Sequence, residues 1–260
     1  MRFLFWNTKK KSIDNYIVRL INEYNIDLFC AAEYGGNAEE LCSRIRADRS
    51  FEVIMSPGCE RVILFGNPSV FTLGFQNKYC SMHILNDSYL ICVVHLPSKL
   101  HNDDIRREII ISEIVNEINK VEDTKMGNNT VVIGDFNINP YEESCLRIDQ
   151  FHSIPVEIES LRGSRVFNGK DYKMFYNPMW NLFGDNIAPF GTYYKNSGES
   201  ICPFWNIYDQ VLIRPSLISR FNKEQLRIIT NCNDESLLDA NYHPRKEISD
   251  HLPIVFELEV

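Results

Sequence analysis

Short apolar runs that stop on a polar, chemically capable side chain constrain this chain more than any other feature. Arg2 to Trp6 is apolar and aromatic and stops at Asn7. Asp27 to Ala32 stops at Glu33. Tyr89 to Leu96 carries His95 near its end, and Thr130 to Ile133 leads into Gly134-Asp135-Phe136-Asn137. Tyr208 to Ile213 opens with Asp209, and Ile254 to Val260 follows Asp250-His251. Short runs rich in branched and aromatic residues read as buried strands. Strands of one sheet end side by side, so polar residues far apart in sequence meet in space.

The remaining pattern alternates helices with further strands. Ser12 is the expected cap of a helix whose apolar face is Ile13, Ile17, Leu20, Ile21 and Tyr24. A short helix is expected near Asn37, with Leu41 and Ile45 inward. Strands are expected at Phe51–Met55, Val62–Phe65, Val70–Leu73 and Tyr79–Leu85, with Asn86-Asp87 as the hairpin turn before Tyr89. Asp103 to Val121 reads as a long helix, capped by Asn102 or Asp103, with Ile105, Ile109, Ile110, Ile114, Val115 and Ile118 on its apolar side. Tyr141 to Ile148 reads as helical, and Phe151 to Gly191 is aromatic without a readable order. Two groups of strands with helices outside them make a layered α/β arrangement of two packed sheets in one domain, residues 1–260.

Composition narrows the class. The chain has 260 residues, 44% of them hydrophobic, enough to bury a large core. A net charge of -8 and a pI near 5.3 argue against extended wrapping of nucleic acid. They do not exclude a nucleic-acid substrate held by a local basic rim. The eight cysteines form no CxxC pair and no zinc-spaced cluster, and several sit inside apolar runs. They read as small buried hydrophobes carrying reduced thiols. No secretory signal and no membrane-spanning run is legible, so a cytoplasmic protein is expected, with no obligate protein partner.

The strand-end residues share a chemistry. The carboxylates of Glu33, Asp135 and Asp250 and the amide oxygens of Asn7 and Asn137 are hard donors suited to Mg2+ or Mn2+. His95 and His251 supply donors or proton transfer near neutral pH, and Asp209 is suited to holding one of them in a fixed tautomer. Taken singly, each has a plain reading: Asn7 as a turn former, Glu33 as a loop residue, Gly134-Asp135-Phe136-Asn137 as a turn with Gly and Asn left-handed.

Taken together and in this order, Phe5-Trp6-Asn7, Val132-Ile133-Gly134-Asp135-Phe136-Asn137, Tyr208-Asp209-Gln210 and Ser249-Asp250-His251-Leu252-Pro253 resemble the endonuclease/exonuclease/phosphatase superfamily over nearly the whole chain. The resemblance implies a four-layer α/β sandwich and a metal-dependent hydrolase of phosphoesters. It implies Glu33 as the main metal ligand, with Asn7 and Asp250 completing the site. Asp135 would orient or activate water, and Asn137 would hold a phosphate oxygen. His251, oriented by Asp209, would be base or phosphate contact, and His95 would assist the transition state or leaving group. The sequence departs from the family pattern at Lys9, often acidic or amide there, at Ala32, often Gln, and in the spacing of Trp205 from Asp209.

His95, Ile133 and Tyr208-Asp209-Gln210 each depart from what abasic-site endonucleases or inositol 5-phosphatases carry, which leaves a nuclease as the expectation. The alternatives are a phosphodiesterase or phosphatase for a small nucleotide or other small phosphoester, and a binding protein that keeps the fold without turnover. Lys9, Lys10, Lys11, Lys99 and Arg61 are candidates for a phosphate-binding rim, against the plain reading of solvated surface charges. Tyr172, Phe175, Tyr176, Trp180, Phe183, Tyr193, Tyr194 and Trp205 are candidates for stacking on bases, and equally for core.

Overall fold

A computed structural model describes residues 1–45, 50–98, 104–185 and 188–260. The calls on Lys99, Asn102 and Asp103 lie outside the described residues. Two large mixed sheets dominate. The first contains β1 (Arg2–Asn7), β2 (Leu28–Ala32), β3 (Glu52–Ile54) and β4 (Val62–Gly66), with Phe221–Ile228 and Ile254–Leu258 beyond β1. The second runs β5 (Phe71–Asn77), β6 (Cys80–Leu85), β7 (Tyr89–His95) and β8 (Thr130–Asp135), then Asp209–Ile213, Phe175–Tyr176 and Ser153–Ile154.

Two parallel pairings set the architecture, and each needs a helical crossover. β1 pairs parallel with β2 through α1 (Asp14–Glu23), and β7 pairs parallel with β8 through α3 (Asp104–Val121). The period of two along the second sheet then sorts its side chains. Ile91, Val93, Val131, Ile133, Val211 and Ile213 join the core that also holds Phe3, Phe5 and Phe256. Leu90, Cys92, Val94, Val132 and Leu212 pack instead with Ile110, Ile111, Ile114 and Ile118 of α3. The result is sheet on sheet with helices outside, the layered α/β sandwich that the strand pattern and the resemblance imply. All eight cysteines carry free thiols.

Four local expectations are corrected. Ser12 does not cap α1; the N-cap is Ile13, without a side-chain cap bond. Ile105 and Ile109 are exposed, because the buried stripe of α3 is Arg107, Ile110, Ile111, Ile114, Val115 and Ile118, and at 100° per residue the other two isoleucines face away from it. The helix expected over Tyr141–Ile148 shortens to a single turn, Glu143–Leu146. Gly134 lies in β8 and not in a turn. It must be glycine because a Cβ there would stand 1.9 Å from the Val94 carbonyl oxygen on the parallel neighbour. Asn37 does cap α2 (Ala38–Arg44), accepting from Glu39 N and Glu40 N.

Candidate active site

Register explains why the site forms. His95 is paired with Asp135 across β7 and β8, and Asp135 with Asp209 across β8 and its antiparallel neighbour. The three therefore stand in one row over adjacent strands. By the period of two, their side chains continue the inter-sheet face on which Val93, Ile133 and Val211 are core. At this end of the sandwich the apolar filling gives way to polar groups. Asn7 closes β1 opposite Ala32, so Glu33 begins the adjoining loop of the first sheet.

The loop carrying Asp250 and His251 is tied to β1. Ser249 Oγ donates to Asn7 O at 2.7 Å, and Trp6 Nε1 donates to His251 O at 2.9 Å. Glu33 sits at φ 48°, an uncommon conformation for a residue with a Cβ. Thr8 Oγ1 and Lys10 N both donate to its carbonyl at 2.7 Å, and its own N–H donates to Arg61 O at 3.3 Å. Strain held this firmly is typical of functional loops.

The side chains converge. His95 Nε2 is 3.7 Å from Glu33 Oε1 and 3.8 Å from Asp135 Oδ2. His251 Nε2 is 4.0 Å from that same Asp135 oxygen, and His251 Nδ1 is 2.8 Å from Asp209 Oδ2. Asp135 also accepts from Asn7 Nδ2 at 2.9 Å and from Asn137 N at 2.9 Å. Asn137, at φ 51°, turns its amide to donate to Leu96 O at 2.9 Å. Asp250 stands at one side, with Lys9 Nζ 3.6 Å from its Oδ2. All eight residues singled out from sequence are thus brought to one end of the two sheets.

Burial and charge set the protonation states. Burial drives the His95 imidazole down to about 3, with the positive charges of Arg61 and His251 adding to it, so the ring is neutral. Burial raises the Asp135 carboxyl to about 7, against the pull of His251 and with the push of Asp209. For His251 burial works against the charged form, but the Asp209 and Asp135 carboxylates outweigh it and raise the group to about 9.

Two sets of oxygen and nitrogen donors are available to a cation. Asp135, Asp209 and His251 offer ligand atoms within 4.8 Å of one another, all buried. The 2.8 Å contact already commits His251 Nδ1 to Asp209, which favours a hydrogen-bonded pair over shared ligation there. Asn7, Glu33 and Asp250 are the second candidate set, the one that the resemblance implies. Oδ1 of Asp250 is buried and has no hydrogen-bond partner, which is the mark expected of a ligand atom. The Asn7 oxygen accepts from Lys9 N at 3.0 Å and keeps a second lone pair.

Asn7, Glu33, His95, Asp135, Asn137 and His251 form part of the lining of a cleft of about 1240 Å³, with Asp209 and Asp250 set behind it. Of the rim candidates, Lys9, Lys10 and Arg61 line it; Lys11 does not. Lys78 and Lys195 line it too, and nothing in their sequence surroundings distinguishes them from other surface lysines. Of the aromatic candidates, Tyr193 lines the cleft, its ring 4.7 Å from that of His251. Phe175 and Tyr176 are core. Tyr141 and Tyr208 are cleft residues that the sequence reading missed. So is Asn139, which accepts from Ile207 N at 2.9 Å and donates to Asn206 Oδ1 at 2.8 Å, bracing the loop after Asn137.

No family model and no curated protein matches the sequence. Solved structures do match. The 3′ phosphatase NExo from Neisseria, bound to a product DNA hairpin, aligns over 100% of both chains with a TM-score of 0.59 and 12% identity. A mannosyl-6-phosphatase from Bacteroides thetaiotaomicron aligns over 100% of both chains with 0.55 and 12%. An endonuclease/exonuclease/phosphatase family protein from Leptotrichia buccalis does so with 0.55 and 14%. At these identities the likeness is one of fold, and the fold of this chain is that of the endonuclease/exonuclease/phosphatase superfamily which its motifs resemble.

Proposed function

We propose that the chain is a divalent-metal-dependent phosphoesterase acting on a phosphodiester, with nucleic acid or a nucleotide as substrate and residues 1–260 as one catalytic domain. The observation that carries this reading is the convergence of His95, Asp135 and His251, with Glu33 3.7 Å from His95. The fold supports it, being shared by a DNA 3′ phosphatase and a mannosyl-6-phosphatase.

Each residue then has a role that its surroundings suit. Asp135, with its carboxyl raised to about 7, is poised to accept a proton from the attacking water at neutral pH. His251 carries its proton and presents it to a phosphate oxygen, while Asp209 fixes the ring from the other side. Neutral His95 donates a hydrogen bond to the phosphate or the leaving oxygen. Asn137 has a second amide hydrogen for a phosphate oxygen beyond the one given to Leu96. Water adds to phosphorus in line, the P–O bond opposite breaks, and the leaving oxygen takes up a proton.

The donor chemistry of Asn7, Glu33 and Asp250 fits a hard cation, and Asp250, like Asp209, keeps one buried oxygen without a hydrogen-bond partner. Mg2+ or Mn2+ held there would offset phosphate charge in the transition state. The thiol state of the cysteines agrees with a cytoplasmic setting. Among the described residues, no helix is long and apolar enough to cross a membrane.

One contact favours a second reading. Lys9 already lies against Asp250 and supplies positive charge where a cation would bind, as in a protein that binds phosphoesters without turning them over. One assay decides: purified protein with Mg2+ or Mn2+ against bis-p-nitrophenyl phosphate, single-stranded DNA, duplex DNA, RNA and small nucleotides. Metal-dependent hydrolysis of any of them supports the enzyme; none across the panel rejects it.

A further inference from the structure

The wall of the cleft beside His95 holds two cations on one aromatic ring. Arg61 Cζ lies 4.9 Å from the centroid of Tyr79, and Lys78 Nζ lies 5.7 Å from the same centroid. Tyr79 is buried, while Lys78 is exposed and Arg61 is partly so; both cations line the cleft. Neither is ion-paired with a carboxylate among the described residues. Both cations face one aromatic ring at the cleft wall, and with no carboxylate paired to either they are available to an anionic ligand.

The pair is fixed relative to the catalytic groups through the backbone. Arg61 O accepts from Glu33 N at 3.3 Å, and Tyr79 O accepts from His95 N at 2.9 Å. Asn77 Oδ1 accepts from Tyr79 N at 2.8 Å and from Cys80 N at 2.9 Å, which sets the turn that presents Lys78. The positive charge of Arg61 reaches His95, where it adds to burial in keeping the ring neutral. Arg61 is thus bonded directly to the Glu33 position, and Lys78 precedes the residue bonded to His95.

We propose that Arg61 and Lys78, backed by Tyr79, form a subsite for a second phosphate of the substrate, one that is held and not cleaved. This rests on the reading of the neighbouring site as a phosphoesterase centre and deepens it, since it makes the preferred substrate one with at least two phosphates. The guanidinium fork suits two phosphate oxygens at once, and the lysine adds a point charge. The second phosphate belongs either to the adjoining unit of a nucleic-acid strand or to a small molecule phosphorylated twice. The chemistry of recognition is the same in both.

Binding tests it without turnover. In EDTA, calorimetry compares thymidine 3′,5′-bisphosphate with the 5′-monophosphate and the 3′-monophosphate, and a 5′-phosphorylated dithymidylate with its unphosphorylated form. The extra phosphate should tighten binding about tenfold in the unaltered protein, as for a charge-assisted contact. That gain should fall below about twofold in Arg61→Gln/Lys78→Gln, and Lys78→Gln alone, a change at an exposed side chain, should lose part of it. A gain only in the dinucleotide pair assigns the phosphate to a strand, and a gain only in the mononucleotides assigns it to a small phosphoester. No gain from the extra phosphate in either pair, or a gain that survives in the double variant, overturns the subsite. Bis-p-nitrophenyl phosphate, which carries one phosphate, tests the hydrolase reading separately. Turnover of it without any bisphosphate advantage rejects the subsite alone, and a bisphosphate advantage without turnover rejects the hydrolase alone.

Discussion

The Nδ1 atom of His251 lies 2.8 Å from Oδ2 of Asp209, both residues are buried, and the other ring nitrogen faces Asp135 at 4.0 Å. One imidazole is thus held between two carboxylates from adjacent strands of the same sheet. Thr192 Oγ1 accepts from the N–H of Asp209 at 3.1 Å, so the backbone that carries the outer carboxylate is itself held. The proton count of this trio controls what the ring can give to a substrate.

Asp209→Asn removes one of the charges that keeps His251 protonated, while leaving the shape of the site. The His251 resonance in a pH titration followed by NMR should move from about 9 toward the ordinary 6.5. The rate on bis-p-nitrophenyl phosphate should fall on the order of 100-fold or more, because the ring loses both its charge and its enforced orientation. An unchanged His251 titration would remove Asp209 from this role.

Stability should pass through a maximum with pH. His251 has its folded-state value raised from 6.5 to about 9, so its contribution is complete below 6.5 and is lost as pH climbs to 9. Asp135, also raised, from 3.8 to about 7, loses stability over that interval in the same direction. His83 and His95, lowered from 6.5 to about 4 and about 3 by burial, act the other way, costing stability as pH falls below 6.5. Among these four, two outweigh one on the acid side and only His251 acts between 7 and 9. Urea midpoints measured in EDTA should therefore peak near neutrality. The alkaline decline should flatten in His251→Gln; a decline of equal steepness there would assign it to other groups.

The positions of these groups were legible in sequence for a physical reason. A strand that is apolar until its end announces locally that the residue ending or following it sits at an edge of the core, and Asn7, Glu33, His95 and Asp135 all follow that rule. Other features depend on partners far along the chain. Phe175–Tyr176 is a strand only because Ser153–Ile154 and Ile213 pair with it, so the stretch from Phe151 to Gly191 had no local signature. Ile105 and Ile109 share the i, i+4 spacing of an apolar face, yet the sheet covers only one side of α3 and the richer stripe wins it. Lys78 enters the cleft from a turn and Lys195 from irregular chain after Tyr194, where no periodicity marks a lysine as different from any other.

Metal binding should separate Glu33 from His251. Glu33→Ala removes a carboxylate from the proposed donor set and should weaken Mn2+ about 100-fold in calorimetry, as large as the strongest losses from supporting residues. His251→Ala should leave Mn2+ affinity within a few-fold, since its Nδ1 is engaged by Asp209. Equal losses in both variants would refute this division of roles, and a loss in His251→Ala alone would place the ion among Asp135, Asp209 and His251, the other donor set.

Away from the cleft, Arg214 is buried against Phe175, with Cζ 3.8 Å from the ring centroid. Its Nε and Nη2 donate to Glu122 at 2.7 and 3.1 Å, tying the end of α3 to the second sheet. Arg214→Met leaves Glu122 buried without its main partner and should cost about 3–5 kcal/mol of stability by urea denaturation. Pairing it with Glu122→Leu should recover much of that loss, since a matched apolar pair leaves no charge unpaired. A double variant no better than the single one would mean that packing, and not the stranded charge, dominates.

The three consecutive lysines after Asn7 offer a test of the substrate itself. Lys9 and Lys10 occupy left-handed positions, φ 52° and 56°, and both reach the cleft, while Lys11 is exposed and does not line it. If a polyanion lies in the cleft, Lys9→Gln and Lys10→Gln should each lower the slope of log affinity against log salt by about 0.7 for a single-stranded oligonucleotide. Lys11→Gln should leave the slope unchanged. Lys9→Gln has a second consequence, because its ammonium lies 3.6 Å from Asp250 and competes with any cation for that carboxylate. The same variant should therefore bind Mn2+ more tightly while binding the oligonucleotide in EDTA less tightly. Mn2+ binding no tighter in this variant would remove Lys9 as the competitor for Asp250, and oligonucleotide binding no weaker would leave Lys10 as the phosphate contact of this turn.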